Sequence, residues 1–288
     1  MLNIVAIMVM VYYINYMSIK ALQNCHKKIQ RVVVNHPLII YVALAYLISW
    51  SWWVPMAVGG QSADHGIGWP THIPGLLGPT IAAVLVTLIV SGKKGINKLW
   101  QRICKWNVGW YWLSVAAVIV AGIVGILLAS NTVTIASIST YPGIDAGLNG
   151  FITLLIVFII NGFGEEIGWR GFLVDGLLKK HSVLKVSLIV VAFWATWHLP
   201  LFFVLESFKA LGLGGTIGWL FGITSGSIVL TWLYKHSGSS ILLVAVWHTA
   251  FNYTSATAAA TGPVAAISST LVMIAAVWIV IAELKAKK

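Results

Sequence analysis

Ordered by apolar and polar positions alone, the chain is a succession of nine long apolar stretches separated by short polar connections. They run over Leu2–Tyr16, Leu38–Met56, Leu76–Val90, Tyr111–Ala129, Leu148–Leu173, Val183–Val204, Thr216–Tyr234, Ser240–Ser255 and Val264–Ala282. A helix needs about 20 mainly apolar residues to cross about 30 Å of hydrocarbon, and these stretches are of that order. The pattern predicts an all-α fold, a polytopic transmembrane helix bundle of about eight to nine spans. The first stretch is short and has neither the basic leader nor the small-residue cleavage site of a secretory signal, so it reads as an anchor. Pro74-Gly75 and Ser237-Gly238-Ser239 mark connections. Nothing suggests a second soluble domain, a low-complexity tract or an internal repeat.

Composition agrees with the pattern. Hydrophobic residues make up 59% and charged residues 9% of the 288, and mean hydropathy is +0.91. Soluble domains carry about 25% charged residues, so a soluble globular class is excluded. The 15 tryptophans suit a chain whose amphipathic rings sit at membrane–water interfaces. A net charge of +11 raises the question of nucleic acid. The basic residues, however, lie in short connections and form no basic face, so anionic lipids, not nucleic acid, are the expected partner.

All but two of the 18 Lys and Arg residues fall in alternate connections, together with the C-terminal tail. By the positive-inside rule those connections are cytoplasmic, which places the N-terminus outside and the C-terminus in the cytoplasm of an integral multi-pass protein of the cell membrane. The exceptions are Lys209, on the opposite side, and Arg170, inside the fifth stretch. Cys25 and Cys104 both fall on the reducing side, so neither a disulfide nor a thiolate zinc site is expected.

Against this apolar background one segment stands out: Asn161-Gly162-Phe163-Gly164-Glu165-Glu166-Ile167-Gly168-Trp169-Arg170-Gly171-Phe172. The chain has only 7 acidic residues, and two lie here. An ionisable side chain within a span is costly and marks a functional site by default. Glu166 and Arg170 are i,i+4 and can pair on one face, while Glu165 points about 100° away. The glycines leave thin helix faces for close packing. Two histidines also fall within apolar stretches. Trp194 and His198 are i,i+4, as are His248 and Asn252. Glu165, His198 and His248 each lie about 20 Å along a helix from the nearest basic connection, so they arrive at a similar depth. The other histidines, among them His65 and His72 in an outer connection, read as solvated polar residues.

Together, Glu165-Glu166-x-x-x-Arg170, Trp194-x-x-x-His198 and His248-x-x-x-Asn252 resemble the three motifs of the CAAX protease and bacteriocin-processing family of intramembrane endopeptidases. Gly78–Ala83 and the Trp-rich basic run Lys98–Trp112 resemble family features less specifically; Trp194 stands where many members have Phe. The resemblance implies a catalytic core at 148–255. Residues 1–36 would then be an anchor span and basic linker, 37–147 accessory helices, and 256–288 a final span and basic tail.

The resemblance further implies Glu165 as general base, His198 holding the same water, and His248 and Asn252 as donors to the carbonyl oxygen. Glu166, Arg170 and Trp194 would support them. The substrate would be a membrane-associated peptide or protein, of CAAX or of leader or bacteriocin type. No cofactor is favoured. A single zinc ion on Glu165, His198 and His248, with Glu166 as base, is the alternative mechanism. A non-catalytic immunity or scaffold protein and a proton-coupled transporter are the alternative functions, although the chain lacks the repeat symmetry of transporters.

Overall fold

The computed structural model describes residue 28, residues 30–129 and residues 133–286. The expected anchor Leu2–Tyr16 lies outside the described residues. Among those described, seven helices are long and apolar enough to cross a membrane. They are α1 (Pro37–Val58), α2 (Gly78–Ile103), α3 (Leu113–Leu128), α5 (Gly150–Leu178), α6 (Val183–Trp197), α8 (Gly212–His236) and α10 (Pro263–Lys285). Short 3-10 turns extend three of them: Ile73–Leu77 leads into α2, Gly109–Trp112 into α3, and Leu199–Phe203 follows α6. Two small helices, α4 (Ile135–Ser139) and α7 (Glu206–Lys209), lie in connections.

The remaining helix, α9 (Ile241–Ala256), has 16 residues. It packs against α3, α5, α8 and α10. Large apolar side chains such as Leu127, Leu128, Phe221 and Ile274 are exposed on the outer face, while Glu165, Glu166, Arg170 and His248 are buried. The fold is that of a polytopic membrane bundle, polar at its centre and apolar where lipid would lie.

Local chemistry sets the element ends. Proline occupies the first turn of α1, α2 and α10, where its fixed φ suits the helix and its missing N–H is not needed. Side chains cap α4, α5 and α9: Thr134 accepts from Ser137 N, Asn149 from Phe151 N and Ser240 from Leu243 N. The third stretch was expected to end at Val90, yet α2 runs on to Ile103 through a non-helical residue, Gly92 (φ 56°, ψ −151°). A conformation with positive φ is open to glycine at little cost, so one helix can turn here without ending.

Helix α5 differs from the continuous α-helix expected of it. Two π-helical stretches, Phe158–Phe163 and Trp169–Val174, flank the short α segment Gly164–Gly168 that carries both glutamates. Single π turns are uncommon in helices and concentrate at functional sites. The thin faces do pack closely. A Cβ on Gly168 would lie 2.6 Å from Pro79 of α2, and one on Gly162 would lie 2.7 Å from Thr249 Oγ1 of α9.

A cap closes one end of the bundle. The connections on either side of His65 and Pro142 meet in an isolated antiparallel bridge, with Gly143 N donating to Asp64 O at 2.9 Å and Ala146 N to Gly66 O at 3.0 Å. The cap is tied down to the end of α9: Ala258 N donates to Thr140 O at 3.0 Å, and the His65 ring lies 3.0 Å from Ala256 O.

Candidate active site

The buried polar centre is built around two carboxylates that face different partners. Glu166 Oε1 accepts from Arg170 Nη1 at 2.7 Å and lies 2.8 Å from His248 Nδ1. It therefore joins α5 to α9, whereas the sequence pointed only to its i,i+4 arginine. Both Glu166 and Arg170 are fully buried, and Glu166 Oε2 and Arg170 Nε and Nη2 have no protein hydrogen-bond partner. Glu165 turns the other way, as its offset of about 100° requires. Its Oε2 accepts from Trp194 Nε1 at 2.8 Å.

Trp194 is the keystone of this centre. Its indole N–H holds Glu165, its backbone carbonyl lies 2.6 Å from His198 Nδ1, and Arg170 Cζ lies 4.3 Å from its ring centroid. A guanidinium over an indole face is attracted by the ring quadrupole. The i,i+4 spacing brings the Trp194 and His198 rings to 6.0 Å between centroids, a looser approach than these contacts; His248 stands edge-on to the same indole at 5.5 Å. His198 was expected inside a helix. It occupies the C-cap of α6 instead, where Leu199-Pro200 tightens the chain into a 3-10 turn. Proline lacks the N–H that would continue an α-helix, so the turn is written in the sequence.

Hydrogen bonding fixes the histidine tautomers. A carbonyl only accepts, so His198 carries its proton on Nδ1 and keeps an Nε2 lone pair. The Nδ1–H of His248 is likewise directed to the Glu166 carboxylate.

Glu165, His198, His248 and Asn252 all line one cavity of about 410 Å³. The four residues singled out from three separate stretches are thus brought together. Two further residues reach the same cavity from the cap and went unrecognised in the sequence: His72 and Tyr141. His72, expected to be solvated, is 3% exposed. Burial holds its imidazole down to about 4, and the neighbouring His198 acts in the same direction. The apolar neighbours of His72, Trp69-Pro70 before it and Ile73-Pro74 after it, were the available signal. Tyr141 had none, since its place depends on how two distant connections pair.

Zinc fits these residues poorly. Among those described, no three His, Cys, Asp or Glu side chains converge in a way that would hold a metal. One Glu165 oxygen is already engaged by an indole N–H, and Glu166, the base this alternative requires, is engaged by Arg170 and His248.

Comparison with known proteins supports the same segment. Residues 147–254 match the model of the type II CAAX prenyl endopeptidase Rce1-like family. The chain is also similar to a protein of Methanococcus maripaludis described as CAAX prenyl protease 2. They share 26% identity over 229 residues, which cover 74% of this chain and 82% of that protein. The segment that carries the site, residues 147–254, is thus the part of the chain that is similar to CAAX prenyl endopeptidases.

Proposed function

We propose that this protein is an intramembrane endopeptidase that hydrolyses a peptide bond of a membrane-associated protein or peptide with a water activated by Glu165. The observation that carries the reading is the pair of free acceptors that Trp194 leaves facing one cavity. Its N–H occupies Glu165 Oε2, so Oε1 is left for a water; its carbonyl takes the Nδ1–H of His198, so Nε2 is left as an acceptor. A water that gives one hydrogen to each has its lone pair free for a carbonyl carbon.

As that water attacks, Glu165 takes its proton, and negative charge develops on the carbonyl oxygen. Asn252 donates to it through Nδ2–H. His248, whose Nδ1–H is used by Glu166, donates through Nε2 as the imidazolium, with Glu166 as counter-ion. Such preorganised donors are typically worth about 10²–10³ in rate each. The proton held by Glu165 then passes to the departing amine. Glu166 and Arg170 take no part in proton transfer and hold His248 and Trp194 in place.

The mechanism needs no cofactor. The proposed substrate is a CAAX-type tail presented from the membrane, which the names of the similar proteins support, or a leader or bacteriocin-type peptide, which the motif resemblance allows. On this reading the protein lies in the cell membrane with its C-terminus in the cytoplasm, and its basic connections meet anionic lipids, not nucleic acid, as the alternation of Lys and Arg supports. Residues 148–255 form the catalytic core, with 37–147 closing it and 256–288 completing the bundle. A reporter fused after Lys288 should therefore register as cytoplasmic.

The function is tested by giving purified protein in detergent a panel of prenylated CAAX peptides and leader-type peptides. Cleavage at a single bond, unchanged after exhaustive chelation, is the expected result. Failure on every peptide would overturn the endopeptidase reading. Activity lost on chelation and restored by zinc would overturn the metal-free mechanism alone.

A further inference from the structure

Helix α8 turns a face without side chains to the cavity. Gly215, Gly218, Gly222 and Gly226 all line it, together with Glu165 and His198. Their spacing of three, four and four residues puts them on one side of the helix. At 1.5 Å of rise per residue the face is about 16 Å long.

Glycine faces in membrane helices ordinarily let a second helix approach closely. Gly162 and Gly168 of α5 do so, with an added Cβ 2.7 Å from Thr249 Oγ1 and 2.6 Å from Pro79. On α8 the opposite holds. Among the described residues, a Cβ added at Gly218, Gly222 or Gly226 would meet nothing within 4 Å, and one at Gly215 would meet only Leu211, four residues earlier. Gly226 is nonetheless buried, so the space beside it is internal. A glycine inside a helix is less stable than an alanine, and no packing contact here requires one.

Polar groups left over in the same cavity point to an occupant. Asn161 is 8% exposed and His72 3%, and both line it. His72 Nδ1 has no protein hydrogen-bond partner, and among the described residues no hydrogen bond engages the Asn161 side chain. Neither residue takes part in the proposed activation of water. Buried polar groups are as a rule paired. A carboxamide, with a donor and an acceptor side by side, matches the N–H and C=O of a peptide.

We propose that the glycine face of α8 is the wall along which the substrate's main chain lies extended. Its missing side chains set the size of residue that the site accepts, and Asn161 pairs with the main chain. A wall of this length accommodates about five residues at about 3.3 Å each. The inference rests on the endopeptidase reading for what happens to the bound chain, though the binding itself does not.

The test uses the full-length Glu165→Gln protein in detergent, so that cleavage does not compete with binding. The probes are prenylated CAAX peptides and leader-type peptides carrying a fluorophore. Gly222→Leu in this protein should weaken peptide binding by about tenfold or more, the scale of an overfilled site, while the melting temperature stays level or rises. Gly222→Ala should act in the same direction and less. Asn161→Ala should weaken binding by up to about tenfold, the scale of one neutral hydrogen bond. Gly214→Leu is the control: a Cβ there also meets nothing within 4 Å, but Gly214 does not line the cavity, so binding should match the parent. Direct contact is read from the peptide. Glycine in place of one larger peptide residue should restore binding to Gly222→Leu.

Binding unchanged by Gly222→Leu would overturn the proposal. A lowered melting temperature or an altered oligomeric mass in that variant would show that the face serves helix packing, and would overturn it too. So would a parent protein that binds none of the peptides. Binding that responds as predicted, in a protein whose wild type cleaves nothing, would leave the wall standing and remove the endopeptidase reading.

Discussion

Helix α5 carries two arginine–carboxylate pairs scarcely two turns apart, and they make opposite uses of the same chemistry. Near its middle, Glu166 and Arg170 pair at 2.7 Å with neither side chain exposed. Towards its end, Asp175 meets Arg102 of α2 at 3.1 Å, with side chains 22% and 29% exposed. The outer pair is well supplied with neutral partners. Arg102 also donates to Gly171 O and to the Tyr234 hydroxyl, which in turn donates to Asp175. The inner pair keeps three polar atoms without a protein partner. Desolvation of two charges offsets much of their attraction when burial is complete. The inner pair is therefore a poor device for stability and a good one for holding His248 and Trp194 in register. The outer pair serves as an ordinary tether between helices.

The sharpest way to break this contrast is to remove one inner partner. Arg170→Ala leaves Glu166 buried and uncompensated, and should cost about 3–5 kcal/mol, read as lost membrane accumulation and a lowered melting temperature in detergent. Replacing both partners with apolar residues of similar volume, Glu166→Leu with Arg170→Met, should recover most of that stability. Cleavage should not return, because His248 loses its counter-ion.

Next in size is Trp194→Phe. It keeps a ring beneath Arg170 but deletes the N–H held by Glu165. Hydrogen bonds to charged groups are worth about 1.5–3 kcal/mol, so kcat should fall by about 10–100-fold while the protein accumulates normally. Many family members carry Phe here, so an undiminished rate would mean that Glu165 is oriented without the indole. The smallest effect should come from the outer pair. Asp175→Asn should change stability by no more than about 1 kcal/mol and leave cleavage unchanged. A loss as large as that of Arg170→Ala would erase the distinction between the two pairs.

What could be foreseen from the chain divides along similar lines. The spans were legible because hydrocarbon imposes one rule on every helix that crosses it. Ser240–Ser255 falls within one residue of α9 at both ends, and Thr216–Tyr234 lies within α8, which starts four residues earlier and ends two later. The convergence of Glu165, His198 and His248 was legible too, since helical rise and a shared basic boundary fix depth. Rotation about each helix was harder to foresee. The π turns on both sides of Gly164–Gly168 change it without any residue that announces them. Hence His248 was expected to act beside Asn252, and its bond to Glu166 came only with the structure. The cap was the least legible part. His72 and Tyr141 stand far apart in the chain, and only the bridge between His65 and Pro142 brings their connections together.

The central claim is that Glu165, and not its buried neighbour, activates the attacking water. It is tested most directly by single-turnover cleavage of one peptide by wild type and Glu165→Gln, with the melting temperature of both proteins recorded. The carboxamide keeps an acceptor for the Trp194 N–H but cannot take up the water's proton. The predicted result is a protein that melts close to wild type and cleaves no product above background. Cleavage by Glu165→Gln at the wild-type rate would contradict the account and remove Glu165 from the chemistry.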